Sequence, residues 1–223
     1  MDGRVYDMIL WDWNGTLLDD GAFGIGIINA MLRRRGLRER TREDHGRLFD
    51  FPVRSYYERL GFDFVAEPFE TVSHEFVDAY IAGACDCPLR EEAAETLTCL
   101  REHGYRQSVL SASRQDYLDR FIAHFALGSY FEELLGIDSV HAPGKADRGR
   151  HWIAQSGLEP GRVLLIGDTC HDAEVAEAMG TDCWLLDGGH HPVDRLEGTG
   201  CRCLPDLAAV RSVLVTDRKI AAV

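Results

Sequence analysis

From Pro88 onward, short apolar runs alternate with amphipathic stretches of roughly 10–15 residues, and this alternation restricts the fold more than any other feature of the chain. The spacing predicts helices over Glu91–His103, Arg114–Phe125, Ala146–Ser156, Cys170–Met179 and Pro205–Leu214. It predicts strands at Arg106–Ser111, Glu133–Ile137, Arg162–Gly167 and Asp182–Leu186, with one more ahead of them at Val5–Trp11. Gly104, Gly157 and Gly180 end three of the helices. Strands joined through helices pair in parallel, and right-handed crossovers bring their carboxyl ends to one edge of the sheet. The expected fold class is α/β with a Rossmann-like parallel sheet. The tail Thr216–Val223 is expected to fray.

Residues 19–87 break the pattern. Ala22–Arg35 has helical spacing through Ile25, Ile28 and Leu32, and Gly36 stops it. Arg42–Leu60 holds further helix, interrupted at Phe51-Pro52, and Pro68–Ala82 sets Phe69, Val72, Phe76 and Tyr80 near one face. No strand is predicted between them. The block reads as a small all-helical insertion after the first strand, leaving an α/β core of residues 1–18 and 88–223. Phe51, Tyr56, Tyr57 and Phe62 are expected in its interior, and Arg33-Arg34-Arg35 on a solvated face. Gly21, Gly24 and Gly26 match neither a dinucleotide-binding nor a P-loop pattern and read as a flexible lead-in.

The formal net charge of −13 disfavours nucleic acid and anionic membrane as partners, but a local site in an acidic protein can still be cationic. No apolar run approaches the length of a membrane span. The N-terminal MDGRVYDMILWDWNG carries acidic residues in a short apolar run, unlike a secretory signal, so the expected location is cytoplasmic. The seven cysteines are accordingly read as free thiols. Cys85-x-Cys87 and Cys201-x-Cys203 lack the usual spacing of a zinc site.

Polar residues recur where the predicted strands end. Asp12 follows Met8–Trp11, Ser111 closes its strand, and Gly167-Asp168 is followed four residues on by Asp172. His141-Ala142-Pro143-Gly144 delivers Lys145, one of only two lysines, the other being Lys219 in the tail. Taken singly, the serine reads as a turn residue, the lysine as solvated and Asp168 as a helix cap. Together they sit where an open parallel sheet forms its ligand crevice. Two carboxylate positions, a hydroxyl and an ammonium suit phosphoryl transfer, in which a metal ion and lysine offset phosphate charge while a carboxylate attacks. His190-His191 follows Gly188-Gly189 after the last predicted strand and reads as a solvated loop, with a role at the site's rim as the alternative.

The order Asp12, Ser111, Lys145, Gly167-Asp168-x-x-x-Asp172, with the first segment MILWDWNGTLLDD, resembles the four motifs of the haloacid dehalogenase-like (HAD) superfamily. The resemblance spans residues 5 to about 190, and the helical block falls where phosphoglycolate-phosphatase-like members carry a helical cap. It implies that Asp12 is a nucleophile that becomes an aspartyl phosphate. It also implies that Asp12, the Asn14 carbonyl, Asp168 and Asp172 hold Mg²⁺, and that Ser111, Lys145, Gly15 and Thr16 bind the phosphoryl group. The implied activity is hydrolysis of a small phosphorylated metabolite. A dehalogenase does not need the acidic pair, a cap Schiff base needs a lysine the block lacks, and a mutase needs an acid at position 14. Most of the family's phosphatases carry a second aspartate where this chain has Asn14. Asparagine has no proton to give near neutral pH. Asn14 therefore leaves open a weak phosphatase or a phosphate-binding pseudoenzyme, unless His45 or His74 of the helical block supplies the acid–base group.

Overall fold

The computed structural model describes residues 6–137 and 144–221, without the side chains of 220 and 221. Val5 and His141–Pro143 lie outside the described residues. Six parallel strands, β1 (Met8–Trp11), β2 (Arg106–Arg114), β3 (Leu134–Ile137), β4 (Val163–Gly167), β5 (Asp182–Leu186) and β6 (Arg202–Leu204), form one sheet in the order β3-β2-β1-β4-β5-β6. The order reverses between β1 and β4, so the crevice expected of a doubly wound sheet opens at their carboxyl ends. Trp11 lies beside Val109 on one side and Ile166 on the other, which places Asp12, Ser111 and Asp168 along one edge.

All four residues of β1 are buried, as a central parallel strand requires. Ile9 and Trp11 pack on one side with Leu97, Phe121, Val210 and Leu214, whereas Met8 and Leu10 pack on the other with Trp152, Val175 and Met179. The first face is covered by α5 (Ala93–Glu102), α6 (Gln115–His124) and α10 (Leu207–Ala221), the second by α7 (Lys145–Ser156) and α8 (Cys170–Met179). Between β1 and α5 come four helices, α1 (Gly21–Arg34), α2 (Arg42–Leu48), α3 (Val53–Leu60) and α4 (Phe69–Gly83). They bury a cluster of their own that includes Ile28, Leu32, Tyr56, Tyr57, Leu60 and Val72. The chain leaves and re-enters the sheet layer at adjacent points, where Asp19 N–H donates to Pro88 O (2.9 Å) and Arg90 N–H to Leu17 O (2.8 Å).

Several expectations need correction. β2 runs on past Ser111 to Arg114, with a register break after Leu110, because Arg114 still pairs with Ile137. α9 (Val193–Glu197) and the edge strand β6 are too short to leave a periodic signature. The tail does not fray at Thr216. α10 continues to Ala221, with Asp217 buried and Arg218 donating to Gly104 O (3.0 Å) while covering the Tyr105 ring. Gly21, Gly24 and Gly26 are not a loose lead-in but turns of α1. Arg33 and Arg34 are exposed, whereas Arg35 is folded between Glu67 and Glu75 over Phe62. Phe51 leaves the helical block's interior to stack on His171, its ring centroid 4.5 Å away.

Candidate active site

Asp12 begins the turn after β1 and is tied back to the sheet by its N–H, which donates to Ile166 O at 2.8 Å. Lys145, the first residue of α7, is 3% exposed and reaches both Asp12 Oδ1 and Asp172 Oδ1 at 2.5 Å. Asp172 also caps its own helix. Its Oδ2 accepts from Thr169 N–H (3.0 Å), Thr169 Oγ1 (2.7 Å) and Asp168 N–H (3.2 Å), and Thr169 in turn caps α8. The capping duty open to Asp168 on sequence grounds therefore falls to Thr169 and Asp172. Asp168 instead turns into the crevice, accepting from Thr16 Oγ1 (2.7 Å) and from His190 N–H (2.7 Å).

Oxygens of Asp12, Asp168 and Asp172 lie within 4.8 Å of one another, and among the described residues this is the one cluster of metal-ligand type. The two Cys-x-Cys pairs do not form such a cluster. With all three carboxylates ionised, the one ammonium would leave two negative charges uncompensated. That surplus equals the charge of one divalent ion, and an all-oxygen donor set suits a hard cation. The electrostatics agree. Burial lifts the Asp12 carboxyl to about 8 against the pull of Lys145, with Asp172 and Asp168 adding to the rise. Burial and Asp172 also raise Asp168, whereas Lys145 and the Thr169 hydrogen bonds hold Asp172 below the usual range despite its burial.

Asn14 is committed to neighbours on both sides. Its Nδ2 donates to Asp20 Oδ2 (2.8 Å) and to Tyr80 OH (2.6 Å), and its Oδ1 accepts from Ser113 Oγ (3.0 Å). Tyr80, from α4, donates in turn to Asp20 Oδ2 at 2.5 Å, so the helical block reaches into the turn that follows Asp12. Ser111 is fully buried and its Oγ accepts from Ser113 N–H (3.1 Å). Gly15 has φ +73°, and a Cβ there would run into the Asp168 carboxylate and the His190 ring. The Thr16 hydroxyl is spent on Asp168.

Tyr80→Phe keeps the ring contacts with Phe23 and Phe76 but leaves both Asn14 Nδ2 and Asp20 Oδ2 short of a partner. It should cost about 1–3 kcal/mol of stability, the usual penalty for stranding buried polar groups. Denaturant unfolding reads this directly, and an unchanged midpoint would contradict it.

His190 is not a solvated loop residue. Its Nε2 lies 3.5 Å from Asp20 Oδ1 and its Nδ1 3.4 Å from His45 Nε2. Burial opposes charge on this ring, yet Asp20, with Asp168 and Asp12 behind it, lifts it to about 9. The signal was the preceding Gly-Gly pair, because a Cβ at Gly189 would strike Asp168. His191 links the layers, its Nδ1 accepting from Cys170 N–H (3.0 Å) and its Nε2 facing Phe49 O (3.0 Å). Tyr80, Ser113 and Arg90, which donates to Gly15 O (2.9 Å) and Asp187 O (2.7 Å), reach the site through tertiary contacts that the sequence does not mark, whereas Asp20 closes the segment MILWDWNGTLLDD and accepts from Gly15 N–H (2.9 Å). Of the two acid–base candidates from the helical block, His74 is exposed on α4. His45 is buried against Tyr56, and burial beside His190 pushes it down to about 3, which disfavours its charged form at neutral pH.

A Rossmann-like sheet with an acidic crevice at its switch point, reached by Tyr80 and His45 of the helices inserted after β1, defines a broad class of doubly wound α/β proteins. The chain belongs to the haloacid dehalogenase-like hydrolase family, whose family model matches residues 9–186. Among curated relatives, the tyrosine-protein kinase PtkA of Mycobacterium tuberculosis is 23% identical over 93% of this chain and 71% of its own length. A phosphoglycolate phosphatase of Aquifex aeolicus is 24% identical over 82% of this chain and 85% of its own. The fold is shared with a haloacid dehalogenase-like hydrolase of Streptococcus pneumoniae at a TM-score of 0.79, with 18% identity, covering 96% of this chain and 99% of that one. CbbY of Rhodobacter sphaeroides, solved in complex with phosphate, gives a TM-score of 0.70 at 18% identity, covering 92% of this chain and 96% of its own. No described helix is long and apolar enough to cross a membrane.

Proposed function

We propose that this protein hydrolyses small phosphate monoesters through an aspartyl phosphate on Asp12, with Mg²⁺ held by Asp12, Asp168, Asp172 and the Asn14 carbonyl. The observation that carries the reading is Asp12 at the end of β1, joined by Lys145 to Asp172 and within ligand distance of Asp168. The names of several relatives point to phosphate esters as substrates.

In this reading the Asp12 carboxylate attacks phosphorus and the bond to the leaving oxygen breaks in line with it. Lys145 neutralises charge on the transferring group and keeps Asp12 oriented. Ser111, with the Gly15 and Thr16 turn, completes the phosphoryl cradle. A bound Mg²⁺ would supply charge compensation for phosphate and carboxylate together. Water then cleaves the acyl phosphate. The helical block, residues 19–87, acts as a cap over a core of residues 1–18 and 88–223, with Tyr80 as its contact to the reacting end. Asp12 is only 7% exposed, and lifting of the cap would admit substrate to it.

The direct test is phosphate release from aryl and metabolite phosphates with Mg²⁺ and with chelator. Turnover that persists in excess chelator would refute the metal-assisted mechanism. A second reading rests on Asn14, whose amide offers hydrogen bonds but no proton. On that reading the chain is a weak or silent phosphate binder, distinguished by binding of inorganic phosphate without turnover. The relative named as a tyrosine kinase makes a tyrosine hydroxyl an acceptor to include in the same assay.

The electrostatics give a linked prediction. The folded chain holds a proton on Asp12 up to about 8, where the ordinary value is 3.8, and one on His190 up to about 9, where it is 6.5. Both groups have already lost these protons in the unfolded chain above about pH 6.5. Metal-free stability should therefore fall as pH rises from 6.5 to 9. Because a cation at Asp12 displaces its proton, Mg²⁺ should raise the melting temperature more at pH 9 than at pH 6.5. Equal shifts at the two values would mean that Asp12 is not a ligand.

A further inference from the structure

We infer that Cys183 and Cys201 form a reversible dithiol–disulfide pair, open to small thiol reagents through the cavity they line. The register of the sheet carries this. Trp184 of β5 lies beside Arg202 of β6, so one residue back Cys183 lies beside Cys201. Lateral neighbours on parallel strands point to the same face. Neighbouring strands run about 4.7–4.9 Å apart, which is within the range that a disulfide spans. The structure holds both as free cysteines, close enough that each shifts the other's titration. They open onto a cavity of about 640 Å³ that Cys170, Glu177, Thr199 and Arg202 also line.

The pair is asymmetric. Cys183, with help from Thr199, draws the Cys201 thiol down to about 6 against its partial burial, which favours the thiolate at neutral pH. The neighbouring Cys201 and burial push Cys183 well up. One thiol is thus poised to attack and the other to resolve. With a low-molecular-weight disulfide R–S–S–R as oxidant, Cys201 Sγ attacks one sulfur, the S–S bond breaks and R–S⁻ leaves. Cys183 then gives its proton to solvent and attacks Cys201 Sγ, expelling the second R–S⁻. Two electrons pass from the protein thiols to R–S–S–R, which ends as two R–SH, and an added dithiol reverses both steps. The ring closed by the new bond contains His190 and the Gly188-Gly189 turn packed against Asp168.

The test is equilibration of the folded protein in oxidised and reduced glutathione, acid quench, alkylation and peptide mapping. The 183–201 cross-link should be the dominant intramolecular disulfide and should disappear on return to dithiothreitol. Cys203→Ser should retain it and Cys201→Ser should lose it. In the wild type, iodoacetamide should label Cys201 first, with a rate half-maximal near pH 6 rather than the ordinary value of about 8.5. A map dominated by another pair, or a Cys201 labelling profile centred on the ordinary thiol value, would overturn the inference.

Discussion

Asp12→Asn should reduce phosphate-ester hydrolysis by roughly 10⁴–10⁶-fold, the scale of losing the nucleophile from a group of residues that act together. The substitution is close to isosteric. The introduced amide oxygen can still accept from Lys145, and the backbone N–H at this position can still donate to Ile166 O. The amide takes the place of a carboxyl that burial already holds protonated up to about 8, so metal-free stability at neutral pH should hardly change. The variant should also gain stability over the wild type at higher pH, where the wild type alone must ionise a buried acid. Initial rates with Mg²⁺ and unfolding curves in chelator, measured on the same preparation, separate chemistry from folding. Hydrolysis within tenfold of wild type would remove Asp12 from the nucleophile role.

The architecture and the four strand-end residues were legible for a specific reason. Both depend on local pattern. Apolar runs bounded by Gly and Pro mark strands, and a parallel sheet of such strands gathers their ends at one edge without further information. Of Asp12, Ser111, Lys145 and Asp168, with Asp172 four residues on, the structure brings Asp12, Lys145, Asp168 and Asp172 into one cluster. What sequence pattern could not reveal lies in contacts between distant segments. Asn14 meets Tyr80 across 66 positions, and Thr16 meets Asp168 across 152. His190 reads as a loop residue because the Gly188-Gly189 pair before it signals a close approach but not the distant carboxylate, Asp168, that is approached. The extra turns of α10 escape for the same reason, since they rest on Arg218 reaching Gly104 and Tyr105. The capping of α8 shows local chemistry correcting a local reading. Thr169 and Asp172 satisfy the helix end, which leaves Asp168 free to face the crevice.

Asn14→Asp should raise turnover of alkyl phosphates by up to about 10²–10⁴-fold, the usual contribution of a positioned acid–base group. A departing alkoxide needs a proton as its bond to phosphorus breaks, and Asn14 can only offer a hydrogen bond. Aryl esters, whose leaving alcohols are acidic, should therefore be the better substrates of the wild type and gain far less from the change. The surroundings favour a neutral acid at this position. Asn14 Nδ2 now donates to Asp20 Oδ2 at 2.8 Å, so an introduced carboxyl would face an existing carboxylate at hydrogen-bonding distance. Asp20 is held ionised against its burial by His190, Tyr80 and Asn14. Two carboxyls so close cannot both ionise readily, and the newcomer keeps the proton. That is the state a general acid needs. The same proximity sets a limit, because the gain should fade at high pH as the pair is forced to ionise, and folding stability should fade with it. Once the introduced carboxyl has given its proton to the leaving group, it can take one from the water that attacks the acyl phosphate. Any phosphoenzyme that accumulates in the wild type should therefore shrink in the variant. The measurement is the ratio of alkyl to aryl turnover for both proteins across the pH range. Equal handling of the two esters by the wild type, with no gain in the variant, would show that another group already delivers the proton and that position 14 does not limit the reaction.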